Sequence, residues 1–76
     1  MQRLLIANRG EIAIRVARAA AELGVATVGI HSQDDARALH VRRTDTSVAL
    51  PASGARAYLD IAQIVAAARN AGCDAV

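Results

Sequence analysis

Lysine, tryptophan and phenylalanine are absent from this sequence, and cysteine, proline, methionine and tyrosine occur once each. A lone Cys73 cannot close an internal disulfide, and no zinc-type Cys/His spacing accompanies it, so a disulfide scaffold and a zinc module are both excluded. It reads as a small buried residue near the start of a strand. With Tyr58 as the only aromatic there is no set of rings on which bases could stack. The nine basic residues, all arginine, are scattered among acids from Arg3 to Arg69 with no run longer than Arg42-Arg43. A nucleic-acid partner is excluded on both counts. No apolar run approaches the ~20 residues of a membrane span, and the opening Met-Gln-Arg-Leu-Leu-Ile is too short for a signal peptide. The expectation is a cytoplasmic protein with no membrane partner.

What remains is aliphatic. The 76 residues are 54% hydrophobic and 21% charged, with a formal net charge of +2, inside the globular range and away from the signature of disorder. Ala, Val, Ile and Leu must build the core, the usual lining of helices on a parallel sheet. A chain of this length forms at most one small domain, and its core supplies only ~3 to 5 kcal/mol unaided, so support from neighbouring chain is expected.

Residues 3–7 are a nearly continuous apolar run ended by Asn8-Arg9-Gly10, which predicts a strand buried on both faces and then a tight turn. From Glu11 the period becomes helical. Ile12, Val16, Ala19, Ala20 and Leu23 form the predicted apolar face, while Glu11, Arg15, Arg18 and Glu22 form a charged stripe, and Gly24 stops the helix. A second β-branched run over residues 25–30 completes a βαβ unit, with parallel strands and a right-handed crossover. Further on, Asp34 or Asp35 is a candidate cap for a short helix over 36–41, residues 48–50 a brief strand, and Pro51-Ala52-Ser53-Gly54 a loop. Asp60 is the predicted N-cap of a last helix with Gln63 three residues on and an apolar face of Ile61, Ile64, Val65 and Ala68. After Gly72 another strand begins and the sequence stops, so a truncated or partly covered longer polypeptide is expected. The predicted class is α/β, a Rossmann-like open parallel sheet with flanking helices, incomplete, with residues 1–76 as one unit.

The turn after the first strand carries the most information. Asn8-Arg9-Gly10-Glu11-Ile12-Ala13 has the spacing of the dinucleotide fingerprint G-x-G-x-x-G/A, with Asn in the first glycine place, Gly in the second and Ala in the third. Asn8 tolerates positive φ, Gly10 allows another group close to the backbone, and Ala13 allows the helix to pack near the strand. Glu11, however, puts a negative charge where a phosphate would sit, and the second strand ends in His31 rather than in the acid that holds a ribose. A structural turn is the favoured reading and a free-standing Rossmann-like nucleotide-binding module the alternative. His31, at the carboxyl end of strand two, is a weak ligand candidate, and His40 and Tyr58 are expected to pack their rings and hydrogen-bond locally.

The run Ile6-Ala7-Asn8-Arg9-Gly10-Glu11-Ile12-Ala13, followed by Arg15, resembles the opening signature of biotin carboxylases. Glu22-Leu23-Gly24, the His31-Ser32 that ends strand two, His40-Val41 ahead of Asp45, and Tyr58-Leu59 ahead of the Ile61 helix agree in order and spacing, so the resemblance spans the chain. Two stretches depart from it and bear on the subfamily: Thr44-Asp45-Thr46-Ser47 stands for an Ala-Asp-Glu-Ala type run, and Leu50-Pro51-Ala52 for Ile-Gly-Pro.

The resemblance implies the pre-ATP-grasp N-terminal part of an ATP-dependent ligase of acetyl-CoA, propionyl-CoA or pyruvate carboxylase type. In that family ATP with magnesium or manganese activates bicarbonate, and the carboxyl group passes to biotin on a carrier. The lysines, glutamates and arginine that do this lie downstream, so the resemblance assigns no catalytic or metal-binding residue here and leaves cofactor-binding residues unknown. It also implies a homodimeric parent, with carboxyl carrier and carboxyltransferase components as partners. The matching positions for a subunit interface on the first helix are Arg15, Arg18 and Glu22. A third reading is a purely structural piece that associates through an open sheet edge and the Ala-rich last helix.

Overall fold

Short aliphatic runs broken by turns become strands, and the two-faced stretches between them become helices. In a computed structural model that describes residues 1–33, 38–50 and 55–76, β1 (Arg3–Ile6) leads through α1 (Gly10–Glu22) to β2 (Ala26–His31). Then come a short α2 (Leu39–Arg42), β3 (Thr46–Ala49), a 3-10 segment (Ala55–Leu59) and α3 (Ile61–Asn70). The sheet order is β1-β2-β3 and both pairings are parallel, with Leu5 opposite Val28 and Val28 opposite Thr46. On the other side of β1, Leu4 bridges Ala75 in parallel, the Leu5 N–H donates to the Ala75 carbonyl at 2.9 Å, and the Asp74 N–H donates to the Arg3 carbonyl at 3.0 Å.

Strands therefore step one way from β1 to β3, and the chain then returns across the sheet to the far side of β1. Right-handed crossovers place α1 on one face and the return helix α3 on the opposite face. Packing follows: Ile6, Ala13 and Ala17 form one cluster, and Leu5, Val28, Ile30, Leu50, Ala57, Ile64, Ala67 and Ala68 the other. This is the predicted α/β class, an open parallel sheet of Rossmann-like winding.

The buried faces of both helices differ from the predicted ones. In α1 the buried residues are Ala13, Ala17 and Ala20, whereas Ile12 and Leu23 are 59% and 80% exposed and Ala19 also faces solvent. The helix is turned by about one residue, or about 100°, because alanines let its axis approach the sheet more closely than Ile or Leu would. In α3 Ile64 and Ala68 are buried as predicted, but Ala67 joins them, and Ile61 and Val65 are 76% and 40% exposed. The Asp60 cap forms, with Oδ1 accepting from the Gln63 N–H at 3.1 Å. The reciprocal half of the box does not, since Gln63 Oε1 is buried without a partner.

Both long helices end in Schellman motifs. Val25 N–H returns to the Ala20 carbonyl and Gly24 N–H to Ala21; Cys73 N–H returns to Ala68 and Gly72 N–H to Arg69. Cys73 is half-buried at the margin of the larger cluster. In the middle of the chain, α2 starts later than the predicted 36–41 helix, with Ala38 as an N-cap that makes no side-chain bond. The candidate caps Asp34 and Asp35 and the predicted loop 51–54 lie outside the described residues. The brief strand predicted at 48–50 is β3 over Thr46–Ala49, and Leu50 just beyond it is buried.

Candidate functional site

Open parallel sheets bind ligands beyond the carboxyl ends of their strands, and here four segments converge at that edge. They are the turn from β1 into α1, the end of β2, α2, and the 3-10 segment. Gly10 opens the turn at φ 62°, a conformation costly for any side chain with a Cβ. A Cβ built on Gly10 would meet nothing within 4 Å, so it is this backbone angle, and not a lack of space, that favours glycine there. Positive φ is confined to glycines among the described residues, so Asn8 is not left-handed; it is exposed, as is Arg9. Ala13, one turn into α1, lies 1% exposed in the cluster with Ile6.

The first helical N–H groups of α1 need acceptors, and Arg9 at the cap supplies no side-chain bond. An imidazole does so instead. His40, 3% exposed, accepts from the Gly10 N–H through Nδ1 at 3.4 Å, and its Nε2 lies 3.2 Å from the Ile30 carbonyl oxygen. A backbone N–H only donates and a carbonyl only accepts, so this pair of contacts fits the tautomer with the proton on Nε2. One side chain from α2 thus joins the start of α1 to the end of β2.

Tyr58 extends the network. Its ring meets the His40 ring edge-on, with centroids 6.3 Å apart and planes at 66°. Its hydroxyl accepts from the N–H of fully buried Ser32 at 3.1 Å, and the Arg9 guanidinium carbon lies 5.3 Å from its ring centroid, within cation–π range. His31 is turned back on its own chain, with Nδ1 2.8 Å from the Ser32 carbonyl oxygen. That bond engages Nδ1 and not Nε2.

At the opposite edge two carboxylates tie strands together. Asp45 Oδ2 accepts from the Thr27 N–H at 2.7 Å and from its hydroxyl at 3.2 Å, and the same hydroxyl accepts from the Asp45 N–H. Asp74 accepts from the Gln2 N–H and, at 2.9 Å, from the Arg3 N–H. These backbone donors, Arg3 first and then Gln2, hold its carboxyl below the usual carboxylate range.

Arg15, Arg18 and Glu22 are all exposed on α1. Arg15 Nε reaches Glu11 Oε1 at 3.2 Å, a solvated i,i+4 pair worth about 0.3 to 0.5 kcal/mol. The exposed Ile12 and Leu23 share the outer side of that helix with them. Among the described residues no group of three His, Cys, Asp or Glu side chains could hold a metal ion. Arg9 and Ser32 had no signal in the sequence as site residues, because their partners lie far along the chain.

The pattern of the family described as "Biotin carboxylase, N-terminal domain" matches residues 1–76. A biotin carboxylase of Haemophilus influenzae is 46% identical over 77 aligned residues, covering 100% of this chain and 17% of that protein. A biotin carboxylase of a Nostoc species is 49% identical over 76 residues, covering 97% of this chain and 17% of its own length. Among solved structures, the biotin carboxylase domain of a single-chain bacterial carboxylase superposes with a TM-score of 0.92 at 48% identity, over 96% of this chain and 17% of that one.

Proposed function

Because the chain belongs to the biotin carboxylase N-terminal domain family, we propose that it forms the opening, non-catalytic α/β part of an ATP- and bicarbonate-dependent ligase that carboxylates carrier-bound biotin. The observation that carries this reading is the family match over residues 1–76 together with the superposition on a biotin carboxylase domain. The chain spans 17% of the length of the biotin carboxylases it matches, so the activity belongs to a longer protein.

In this reading ATP, magnesium or manganese, and biotin bind outside these residues. The chain has no lysine for a phosphate clamp, and its described residues bring together no metal-ligating cluster. What its own residues do is structural. The His40, Tyr58 and Ser32 contacts fix the carboxyl-end edge of the sheet, and α1 turns Ile12, Arg15, Arg18, Glu22 and Leu23 outwards as a subunit contact of a homodimeric parent. Carboxyl carrier and carboxyltransferase components are the further partners, and the cytoplasm the compartment. No described helix is long and apolar enough to cross a membrane.

A chimera tests this. The chain replaces the matching segment of a biotin carboxylase relative, and bicarbonate- and biotin-dependent ATP hydrolysis is assayed. Turnover within roughly tenfold of the parent, about 1.4 kcal/mol in barrier, supports the proposal; a folded chimera without turnover refutes it. Calorimetric titration of the chain alone with ATP, NAD and NADP should be silent, and saturable micromolar NAD binding would favour the nucleotide-binding module.

A further inference from the structure

Arg42-Arg43 is the one basic doublet in the sequence, and neither the fold nor the carboxylase reading uses it. Arg43 closes the carboxyl end of α2 with a right-handed helical backbone, and its N–H returns to the His40 carbonyl at 3.3 Å. Its side chain therefore starts from a fixed point beside α1. On the facing flank of α1, Ile14, Ala17, Arg18 and Ala21 recur at i, i+3, i+4 and i+7, the spacing of one helix face. Together with Arg43 they line a hollow of about 180 Å³.

The wall of this hollow is apolar and its rim cationic. Ala17 is buried and Ile14 half-buried, whereas Arg18 and Arg43 are exposed and reach it from separate elements. Two like charges beside one hollow repel each other unless a counter-charge lies between them. Among the described residues no carboxylate comes within 4 Å of either guanidinium. Glu11 is taken by Arg15, and Asp45 turns Oδ2 to the Thr27 N–H and hydroxyl. Glu22 follows Arg18 by four residues, but Arg before Glu is the less favourable order for a helical pair, and the pair does not form.

We propose that this hollow is an anion site that holds one phosphoryl group, free phosphate or the phosphomonoester end of a small molecule, between Arg18 and Arg43. Guanidinium forks donate in pairs to phosphate oxygens, and a tetrahedral dianion has acceptors enough for both forks at once. The volume is below the roughly 300 to 1,000 Å³ of pockets that enclose drug-sized ligands, so the occupant is a small anion or the charged end of something larger. The side towards Ile14 and Ala17 excludes water, which strengthens each charge-assisted bond on the open side. Nothing in this placement rests on the carboxylase reading.

Calorimetric titration of inorganic phosphate, and in a second arm methyl phosphate, into the chain and into the chimera that carries it tests the site at low ionic strength, where screening is least. Saturable binding with a dissociation constant in roughly the millimolar range is expected, and tighter binding of methyl phosphate would assign the monoester rather than the free anion. Arg43 lies outside the proposed subunit contact, and Arg43→Gln should weaken binding roughly tenfold. Adding Arg18→Gln should abolish it, whereas Arg69→Gln, at an exposed arginine of α3, should leave it unchanged. Nitrogen NMR of the chain should show phosphate moving the amides of residues 14–21 and 41–45. In the chimera, where phosphate also meets the ligase's own site, the component lost with Arg43→Gln is the one that counts. No saturable binding to either protein overturns the proposal. So does binding weakened as much by Arg69→Gln as by Arg43→Gln, which would mean diffuse attraction to the net charge. A chimera that turns over but lacks the Arg43-dependent component refutes the site alone and leaves the ligase reading standing.

Discussion

Gly29 sits in the middle of β2 with the Thr44 side chain pressed against it. A Cβ built on Gly29 would stand 2.7 Å from Thr44 Oγ1, 3.0 Å from Cγ2 and 3.3 Å from Cβ. Thr44 cannot rotate away freely, since Oγ1 donates to the Val41 carbonyl at 3.0 Å and the rotation would bring Cγ2 into the same space. Overpacking of this kind costs about 1 to 3 kcal/mol. Alanine at an ordinary backbone angle recovers about 0.4 to 1 kcal/mol by stiffening the unfolded chain, so Gly29→Ala should destabilise by roughly 0.5 to 2 kcal/mol. Thr44→Ala alone should lose about 0.5 to 1 kcal/mol with its hydrogen bond.

The double variant decides the matter, because Thr44→Ala removes Oγ1 and Cγ2, the two nearest of the three atoms that crowd the new methyl group, and leaves only Cβ at 3.3 Å. It should be more stable than Gly29→Ala by about 1 kcal/mol, visible as a rise of roughly 4 to 8 °C in melting temperature for a chain of this size. Urea unfolding of all four proteins followed by circular dichroism gives the cycle. If the two costs simply add to within about 0.5 kcal/mol, the sites are uncoupled and the packing argument is wrong. Thr44 opens one of the two stretches where the sequence departs from the biotin carboxylase pattern, which has an Ala-Asp-Glu-Ala type run there. The Thr44 side chain fills the space that a Cβ on Gly29 would take.

Two further outcomes follow from the bonds at the sheet's edges. His40→Ala should strand the Ile30 carbonyl in the interior, take away the acceptor of the Gly10 N–H and leave a cavity, destabilising by about 2 to 4 kcal/mol; nitrogen NMR of the intact chain should show the Nε2–H tautomer, and the opposite tautomer would remove the basis for this bridge. The Asp74 carboxyl is held below its unfolded value, so its contribution is present above the ordinary carboxylate pKa and is lost as pH falls from there through the lower folded value. Asp74→Asn should therefore flatten that acid stretch of the stability profile, and an unchanged slope would mean that the bonds to Gln2 and Arg3 add nothing.

The parallel strands, their order along the chain and the helix between the first two were legible because each is written locally, in apolar runs, a change of period and a stop at Gly24. Helix rotation was not. Periodicity weights large side chains, so Ile12, Leu23 and Ile61 appeared to mark the inner faces, whereas contact with a sheet selects for closeness and takes Ala13, Ala17 and Ala67. The turn at residues 8–13 was legible as a motif, but its contacts were not. His40 meets Gly10 across 30 residues and Tyr58 meets Ser32 across 26, and no local pattern encodes such pairs.

The corrected rotations bear on how the unit is stabilised. Alanine-faced helices lie close to the sheet but bury little apolar area, since stabilisation scales with that area at about 25 cal/mol per Å². Several larger aliphatic side chains of the helical segments point outwards instead, Ile12 and Leu23 at α1, and Leu59, Ile61 and Val65 at and beyond the start of α3, while Ile64 is buried. An isolated domain gains nothing from this placement, whereas a neighbouring surface laid on those residues would add apolar burial. The two outer faces also differ in kind. That of α1 mixes apolar residues with Arg15, Arg18 and Glu22, a composition suited to a contact that fixes register through charge. That of α3 near Ile61 is aliphatic and alanine-rich, as at contacts within one folded unit. Substituting Ile12 and Ile61 with Ser in the isolated chain should leave its melting temperature nearly unchanged. In a full-length carboxylase carrying this segment, Ile61→Ser should lower stability and Ile12→Ser should weaken subunit association, and equal effects of the two on both quantities would contradict this division of roles.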